Sequence, residues 1–184
     1  MTPIMNAPET WRQVLVQLHA LQHWYRLPKA YGSSVLTKPR FEERLRADEN
    51  RKVTLRLMKH AQCIGCDSAV PETSTGDHII AKSIGGPDGA GNYVPLCRSC
   101  NASKGARDLF AWMQTKGRTV GTLALQVRSD LVCAYARLMY QHLDRKGELD
   151  TAPHDAVLRV HNELLSTLPS DAHRAAVLQL GRTT

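Results

Sequence analysis

The 184-residue chain is poor in aromatic residues and has no long apolar run. Aromatic side chains make up 5% of the sequence, and no stretch approaches the roughly 18 consecutive apolar residues that a membrane-spanning helix needs. We therefore expect no membrane association. The N-terminal run MTPIMNAPETWRQ lacks the charged and apolar segments of a secretory signal, which favours a cytoplasmic location. The 42% of apolar residues can build one sizeable core.

Four of the five cysteines form two Cys-x-x-Cys pairs, Cys63 with Cys66 and Cys97 with Cys100. This spacing lets both thiolates of a pair reach one ion and predicts one structural zinc per chain. Disulfides and free buried thiols are the alternatives, but disulfides need an oxidising compartment. Cys133 lies apart from the pairs, and we expect it to be a small apolar packing residue.

The 30 residues between the two pairs are too many for a simple zinc ribbon and indicate a folded insert. The segments DHII at 77–80 and NYVPL at 92–96 read as short strands, and the loop at 85–89 between them is rich in glycine. After Cys100, apolar residues at helical spacing predict a helix that continues through Gly105 and ends near Gly117.

These features together resemble one known family. The pairs of cysteines, Asp-His-Ile, Gly-Gly, Asn92, the run LCRSCN at 96–101 and Ser-Lys-Gly at 103–105 are similar, in order and spacing, to the HNH nucleases. That family has a ββα-metal active site, and one of its subgroups is braced by a four-cysteine zinc. The resemblance covers about residues 61–117 and leaves both flanks unexplained.

The resemblance implies a role for each matching residue. His78 matches the general base that deprotonates water, and Asp77 matches the metal-binding carboxylate. Asn92 matches the residue that braces the loop and orients the histidine. Asn101 stands where the motif's last histidine would be, which makes this an H-N-N variant with a carboxamide oxygen as metal ligand. Oxygen ligands suit Mg²⁺ or Mn²⁺.

The residue chemistry supports the same roles without the family. A neutral imidazole can accept a proton near pH 7, and a divalent cation on Asp77 and Asn101 would neutralise charge that develops on the phosphate. Lys104, three residues after Asn101, suits a phosphate oxygen. One difficulty is that neighbours on a regular strand point to opposite faces, so Asp77 and His78 share a site only if the strand ends or twists there.

Each of these residues also has an ordinary structural explanation. His78 can be a satisfied structural histidine and Asp77 a turn cap. Asn92 can be a turn residue and Asn101 a helix cap. Lys104 can pair with the carboxylate at i+4, that of Asp108.

The net charge of +7 is concentrated in the N-terminal third. Residues 1–60 carry 11 Lys and Arg against 5 Asp and Glu, and the cations crowd one segment: Arg40, Arg44, Arg46, Arg51, Lys52, Arg56 and Lys59. We predict one basic helix from about Phe41 to His60 that contacts the phosphate backbone through Arg44, Lys52 and Arg56. Lys104 and Arg107 would add contacts from the nuclease-like region. The alternative is a solvated helix face, because Glu42, Glu43, Asp48 and Glu49 interleave with the cations.

Both flanks read as helical. A capping box at Thr10 and Gln13 and an apolar stripe through Trp11, Leu15, Leu18 and Leu21 predict a first helix. Stripes through residues 123–138 and 157–164 predict two more, and Ser170 is a candidate cap for a last one. We expect an α+β protein with three parts, a basic helical region at 1–60, the zinc-braced ββα-metal module at 61–118 and a helical region at 119–184.

The functional expectation is a metal-dependent endonuclease that hydrolyses DNA phosphodiester bonds. A different class of function is a catalytically silent, zinc-stabilised module that binds nucleic acid or acts as an adaptor. A third hypothesis is that the chain is the nuclease subunit of a restriction or anti-phage complex, with a protein partner docked on the helical flanks.

Overall fold

The computed structural model describes residues 7–26, 38–47, 50–60, 62–71 and 76–181, without the side chains of residues 23–26 and 38–40. Its helices, in chain order, are α1 Trp11–Arg26, α2 Lys38–Arg46, α3 Asn50–Met58, α4 Arg98–Lys104, α5 Leu109–Thr115, α6 Leu125–Lys146, α7 Asp155–Ser166 and α8 Asp171–Gln179. Two short strands, β1 Asp77–His78 and β2 Tyr93–Val94, complete the fold. None of these helices is long and apolar enough to span a bilayer.

Helix α1 begins where its sequence signals predicted. The Thr10 hydroxyl accepts a hydrogen bond from the Gln13 amide at 3.3 Å, which satisfies one of the free amides of the first turn. The Gln13 carboxamide oxygen accepts from the Glu9 amide instead of that of Thr10. The predicted apolar face is confirmed, since Trp11, Leu15, Leu18 and Leu21 are all buried.

Helix α6 is the centre of the helical part. Helices α1, α2 and α3 all pack against it, and most of its side chains from Ser129 to Leu143 are buried. Cys133 is among them, as expected for an apolar packing residue. Helices α7 and α8 close the core against α1. The Ser170 hydroxyl accepts from the His173 amide and caps α8, as predicted.

The single basic helix predicted from Phe41 to His60 is wrong. Two helices, α2 and α3, replace it, and α2 already begins at Lys38. They pack against different partners, since α2 contacts α1 and α6 whereas α3 contacts α6 and β2. The apolar spacing from Leu45 to Val53 is close to helical and does not reveal this break.

The central module has the predicted ββα order. Strands β1 and β2 are antiparallel, with Asp77 opposite Val94 and His78 opposite Tyr93, and α4 follows. The predicted continuation of this helix through Gly105 is wrong. Gly105 has a φ of +54°, a left-handed conformation that favours glycine, and it ends α4. Helix α5 starts afresh at Leu109, where the Asp108 carboxylate accepts from the Ala111 amide at 3.0 Å.

The module and the helical flanks share one apolar core. The Thr54 hydroxyl of α3 donates to the carbonyl oxygen of Ala90 beside β2. The Tyr135 hydroxyl of α6 donates to the Asp108 carboxylate at 2.7 Å. The first contact places the hairpin against α3, and the second joins the start of α5 to α6. The mixed α+β architecture predicted from the sequence is confirmed.

Candidate functional site

The four paired cysteines meet in one cluster. Their sulfur atoms all lie within 4.8 Å of one another, and the sulfurs of Cys66 and Cys97 are 3.7 Å apart. A tetrahedral zinc with Zn–S bonds of about 2.3 Å would set its sulfurs about 3.8 Å apart. None of the five cysteines forms a disulfide. The donor set and its spacing therefore fit zinc.

The thiols differ in their local electrostatics. A hydrogen bond from the Ser68 hydroxyl lowers the pKa of Cys66 to about 6, and the backbone amide of Cys100 lowers the pKa of Cys97. Burial raises the pKa of Cys63 and of Cys100. A metal bound here would displace the protons of the two buried thiols, Cys63 and Cys100. It would also offset the repulsion between adjacent thiolates.

The first cysteine pair packs directly against α5. A Cβ atom added to Gly65 would lie 2.5 Å from the Trp112 ring, so only glycine permits this close approach. The Ile64 amide donates to the Pro95 carbonyl at 3.1 Å, which joins the first pair to the chain entering the second. The cluster thereby fixes the hairpin relative to α4.

Asp77 and His78 lie at the end of the hairpin. Strand β1 contains only these two residues and bends at Ile79, so the strict alternation of a regular strand does not apply. The Asp77 Oδ1 and His78 Nδ1 atoms are 4.0 Å apart, and the imidazole packs on Tyr93 with ring centroids 4.7 Å apart. The carboxylate and the imidazole therefore reach the same site.

A second carboxylate approaches the imidazole from the glycine-rich loop. The His78 Nε2 atom lies 3.6 Å from Asp88 Oδ1, and Lys82 Nζ lies 2.6 Å from Asp88 Oδ2. The Lys82 ammonium lowers the pKa of Asp88 and keeps it charged. Asp88 was not among the predicted site residues, because the segment Gly-Gly-Pro-Asp-Gly indicated only a glycine-rich loop.

Asn92 is fully buried behind the loop. Its carboxamide nitrogen donates to the carbonyl oxygens of Ile80 at 2.8 Å and Pro87 at 2.9 Å. Its oxygen accepts from the Ile80 amide at 2.9 Å. These three bonds join both ends of the loop to the hairpin, but they go to residues other than His78.

The sequence predicted that Lys104 contacts a phosphate oxygen or pairs with Asp108, but the structure gives it a different partner. Its side chain is fully buried, and Nζ lies 3.1 Å from Asp77 Oδ2. The suggested partner Asp108 instead accepts from Tyr135 and lies 3.4 Å from His154 Nε2. Lys104 therefore connects α4 to the carboxylate beside His78.

Of the two other predicted residues in this region, Asn101 lies within α4 and Arg107 follows its end. Asn101 is half-buried one turn before Lys104. Arg107 is exposed, and its guanidinium donates to the carbonyl oxygens of Ser103 and Lys104. Its side chain thus caps the end of α4.

Among the described residues of the basic segment, some cations form ion pairs and others are seen only as exposed or half-buried side chains. Arg56 makes a bidentate contact with the buried Asp130, at 2.8 and 3.1 Å, and Arg46 lies 3.7 Å from Glu42 at the i,i+4 spacing that the solvated-face alternative implies. Arg51 and Lys52 are exposed, and Arg44 is half-buried. The side chain of Arg40 and residues 48–49 lie outside the described residues.

Comparison with known families supports the resemblance. The family model described as HNH endonuclease matches residues 63–107, which span both cysteine pairs, the hairpin and α4. No curated protein and no solved structure shows significant similarity to the chain. The helical flanks lie outside the match. Residues 63–107 thus match the HNH endonuclease family and contain a four-cysteine cluster that can hold zinc.

Proposed function

We propose that the chain is a metal-dependent endonuclease that hydrolyses DNA phosphodiester bonds. The observation that carries the proposal is the position of His78 between the carboxylates of Asp77 and Asp88, at 4.0 and 3.6 Å. A histidine flanked by two carboxylates is equipped to accept a proton, because negative charge stabilises the imidazolium that forms. The family match supports nucleic acid as the substrate.

In this proposal His78 is the general base. One unprotonated imidazole nitrogen takes a proton from a water molecule that attacks the scissile phosphorus. Asp77 and Asp88 then stabilise the positive ring. Asn92 is the positioning residue, since its three hydrogen bonds hold both ends of the loop that carries Asp88.

Asp77 and Asn101 are the proposed ligands of a catalytic Mg²⁺ or Mn²⁺. A carboxylate and a carboxamide offer the hard oxygen atoms that these ions prefer. Lys104 contacts one carboxylate oxygen, Oδ2, which leaves Oδ1 for a metal. Such an ion would stabilise the negative charge that develops on the phosphate and on the leaving oxygen.

DNA contacts are proposed for cations of the basic segment and for Arg107 after α4. Lys52 and Arg107 are exposed and Arg44 is half-buried, so all three can reach a phosphate backbone. Arg56 keeps 43% of its side-chain surface exposed, and it can contact DNA only while it also neutralises Asp130. Lys104 is buried, which favours a role on Asp77 over a direct phosphate contact.

Nicking of supercoiled plasmid in Mg²⁺ or Mn²⁺ tests the proposal. His78→Ala should lower the cleavage rate by about 10²- to 10⁴-fold, the usual contribution of a general base. Its zinc content and DNA affinity should match those of the parent. His60→Ala is the control, because His60 is an exposed histidine outside the site, and it should cleave normally.

Full activity in His78→Ala would contradict the mechanism. Asp77→Ala and Asn101→Ala should shift the metal concentration needed for activity, whereas His78→Ala should not. A parallel assay on RNA of the same sequence tests the choice of DNA.

One contact favours a second function, a catalytically silent module that binds nucleic acid. The Lys104 ammonium already neutralises Asp77 at 3.1 Å, so the carboxylate is satisfied without a metal. Binding of DNA with no cleavage in any divalent ion would support this function. Lys104→Met separates the two, because it should increase metal affinity at Asp77 if the ammonium competes with the ion.

A further inference from the structure

A polar groove lies on the other side of the glycine-rich loop from His78. Its volume is about 490 Å³, within the range of roughly 300 to 1,000 Å³ typical of small-molecule sites. The loop forms one wall, the start of α3 a second and the C-terminal half of α6 a third. Asp88 faces His78, while Gly89 and Gly91 line the groove. The groove therefore begins one residue away from the candidate active site.

The described lining of the groove carries positive charge. Arg51 from α3 and Arg145 from α6 both line it, and the lining residues that the structure describes include no Asp or Glu. Both arginines are exposed, and neither forms an ion pair among the described residues, unlike Arg46 and Arg56. The first residue of α3 also lies here, so the positive end of the helix dipole points the same way. An anionic group is the expected occupant.

Asn50 adds a hydrogen-bond acceptor to the same groove. It is only 4% exposed, and its carboxamide nitrogen donates to the Ala134 carbonyl at 3.3 Å. That carbonyl requires a donor, which fixes the orientation of the amide. The Asn50 oxygen is left buried with no partner among the described residues. A buried acceptor without a hydrogen bond is destabilising, so the site favours a ligand that brings an N–H group.

A nucleotide unit combines these two properties. Its phosphate suits Arg51 and Arg145, and its base offers N–H donors for the Asn50 oxygen. A free phosphate ion would satisfy the arginines but not Asn50. We propose that this groove binds the nucleotide next to the scissile phosphate of the DNA strand, with its phosphate on Arg51 and Arg145. The inference rests on the nuclease function proposed above and assigns a subsite to it.

Binding of a labelled duplex, measured by fluorescence polarisation over a range of salt concentrations without divalent ions, tests the subsite. Arg51→Gln/Arg145→Gln should weaken binding and reduce the slope of log affinity against log salt by up to about 1.8, or about 0.9 per phosphate contact. The matched control is Lys116→Gln/Lys146→Gln. It removes the same charge from exposed positions outside the groove and should bind more nearly like the parent.

A second pair of variants does not depend on removing arginine. Gly89 has an extended backbone, and a Cβ atom added there would meet nothing within 4 Å, so larger residues fit. Gly89→Glu places negative charge at the groove and should weaken DNA binding. Gly89→Gln has the same size without the charge and should bind more tightly than Gly89→Glu. Unchanged melting temperatures should accompany all of these variants.

Cleavage assays on the same proteins separate this proposal from the nuclease proposal. If the parent cleaves DNA while the double arginine variant binds like the control, the subsite is wrong and the nuclease function stands. If the parent binds through both arginines but never cleaves, the groove is a nucleic-acid-binding site and the nuclease function is wrong. A parent that neither binds nor cleaves would overturn both.

Discussion

The HNH module and the helical flanks are held together by different means. In the flanks, α6 buries most of its middle turns and α1, α2 and α3 pack against it. In the module the strands have two residues each, too few for a stable sheet. Beyond the apolar core that it shares with the flanks, its order depends on a few specific contacts, namely the cysteine cluster and the three hydrogen bonds of Asn92. Apolar packing tolerates small changes, whereas such discrete contacts do not.

Removal of one cysteine should have very different effects on stability in the module and in the flanks. Cys97→Ala should lose the zinc and unfold the module, because structural zinc contributes on the order of 10 kcal/mol to the folding of small zinc modules. Cys133→Ala is the matched change in α6 and should keep one zinc per chain, at a cost of about 1 kcal/mol. Metal analysis and thermal melting measure both effects. A Cys97→Ala protein that retains zinc and melts like the parent would contradict the assignment.

Acid should destabilise the flanks through His161, which is fully buried in α7. Burial lowers its pKa from 6.5 to about 4. Above pH 6.5 the ring is neutral in both states, so the folded state suffers no penalty. Between pH 6.5 and 4 the unfolded chain takes up the proton first, and about 3 kcal/mol of stability is lost as the pH falls.

Urea unfolding of parent and His161→Gln from pH 7 to pH 4 isolates this effect. The variant lacks the titrating ring, and its free energy of unfolding should fall less steeply across that range. Parallel pH profiles for the two proteins would show that His161 does not contribute. Zinc content must be followed as well, because protonation of the thiols also releases metal.

The smallest expected difference in stability is between variants of two neighbouring cations of α3, Arg56 and Lys52. Arg56→Gln should cost about 2 kcal/mol, since it leaves Asp130 buried without its bidentate partner. Partial exposure of Arg56 keeps the loss below that of a fully buried pair. Lys52→Gln removes the same charge from an exposed side chain and should change stability by less than about 0.5 kcal/mol. Equal unfolding free energies for both variants would contradict the structural role of Arg56.

Much of the module could be predicted from local sequence. The cysteine spacing predicted a metal-binding cluster, and the order of strand, strand and helix followed from short-range patterns. The two breaks that were missed have different causes. Gly105 gave a clear local signal for the end of α4, and the apolar residues after it outweighed that signal. The break between α2 and α3 gave no such signal, because the apolar spacing from Leu45 to Val53 is close to helical.

In the candidate site, too, some residues could be predicted from local sequence whereas others depend on tertiary packing. His78, Asp77 and Asn92 could be identified because the motif places them at fixed positions. Asp88 and the Lys104 contact with Asp77 could not, because they depend on how the loop and α4 fold back on the hairpin. Likewise, composition showed that the N-terminal third is basic, but it could not show that Arg56 faces a buried carboxylate 74 residues away.

The sequence by itself determined which chemical groups are present and which lie close along the chain, because metal-ligand spacing, helix caps and glycine turns act over a few residues. The tertiary structure alone decided which charges are neutralised and which remain available. Asp130 pairs with Arg56, whereas Arg51 and Arg145 line an open groove. Ion pairing and burial depend on distances between residues far apart in the chain, and only the packing of α3, α6 and the hairpin sets those distances.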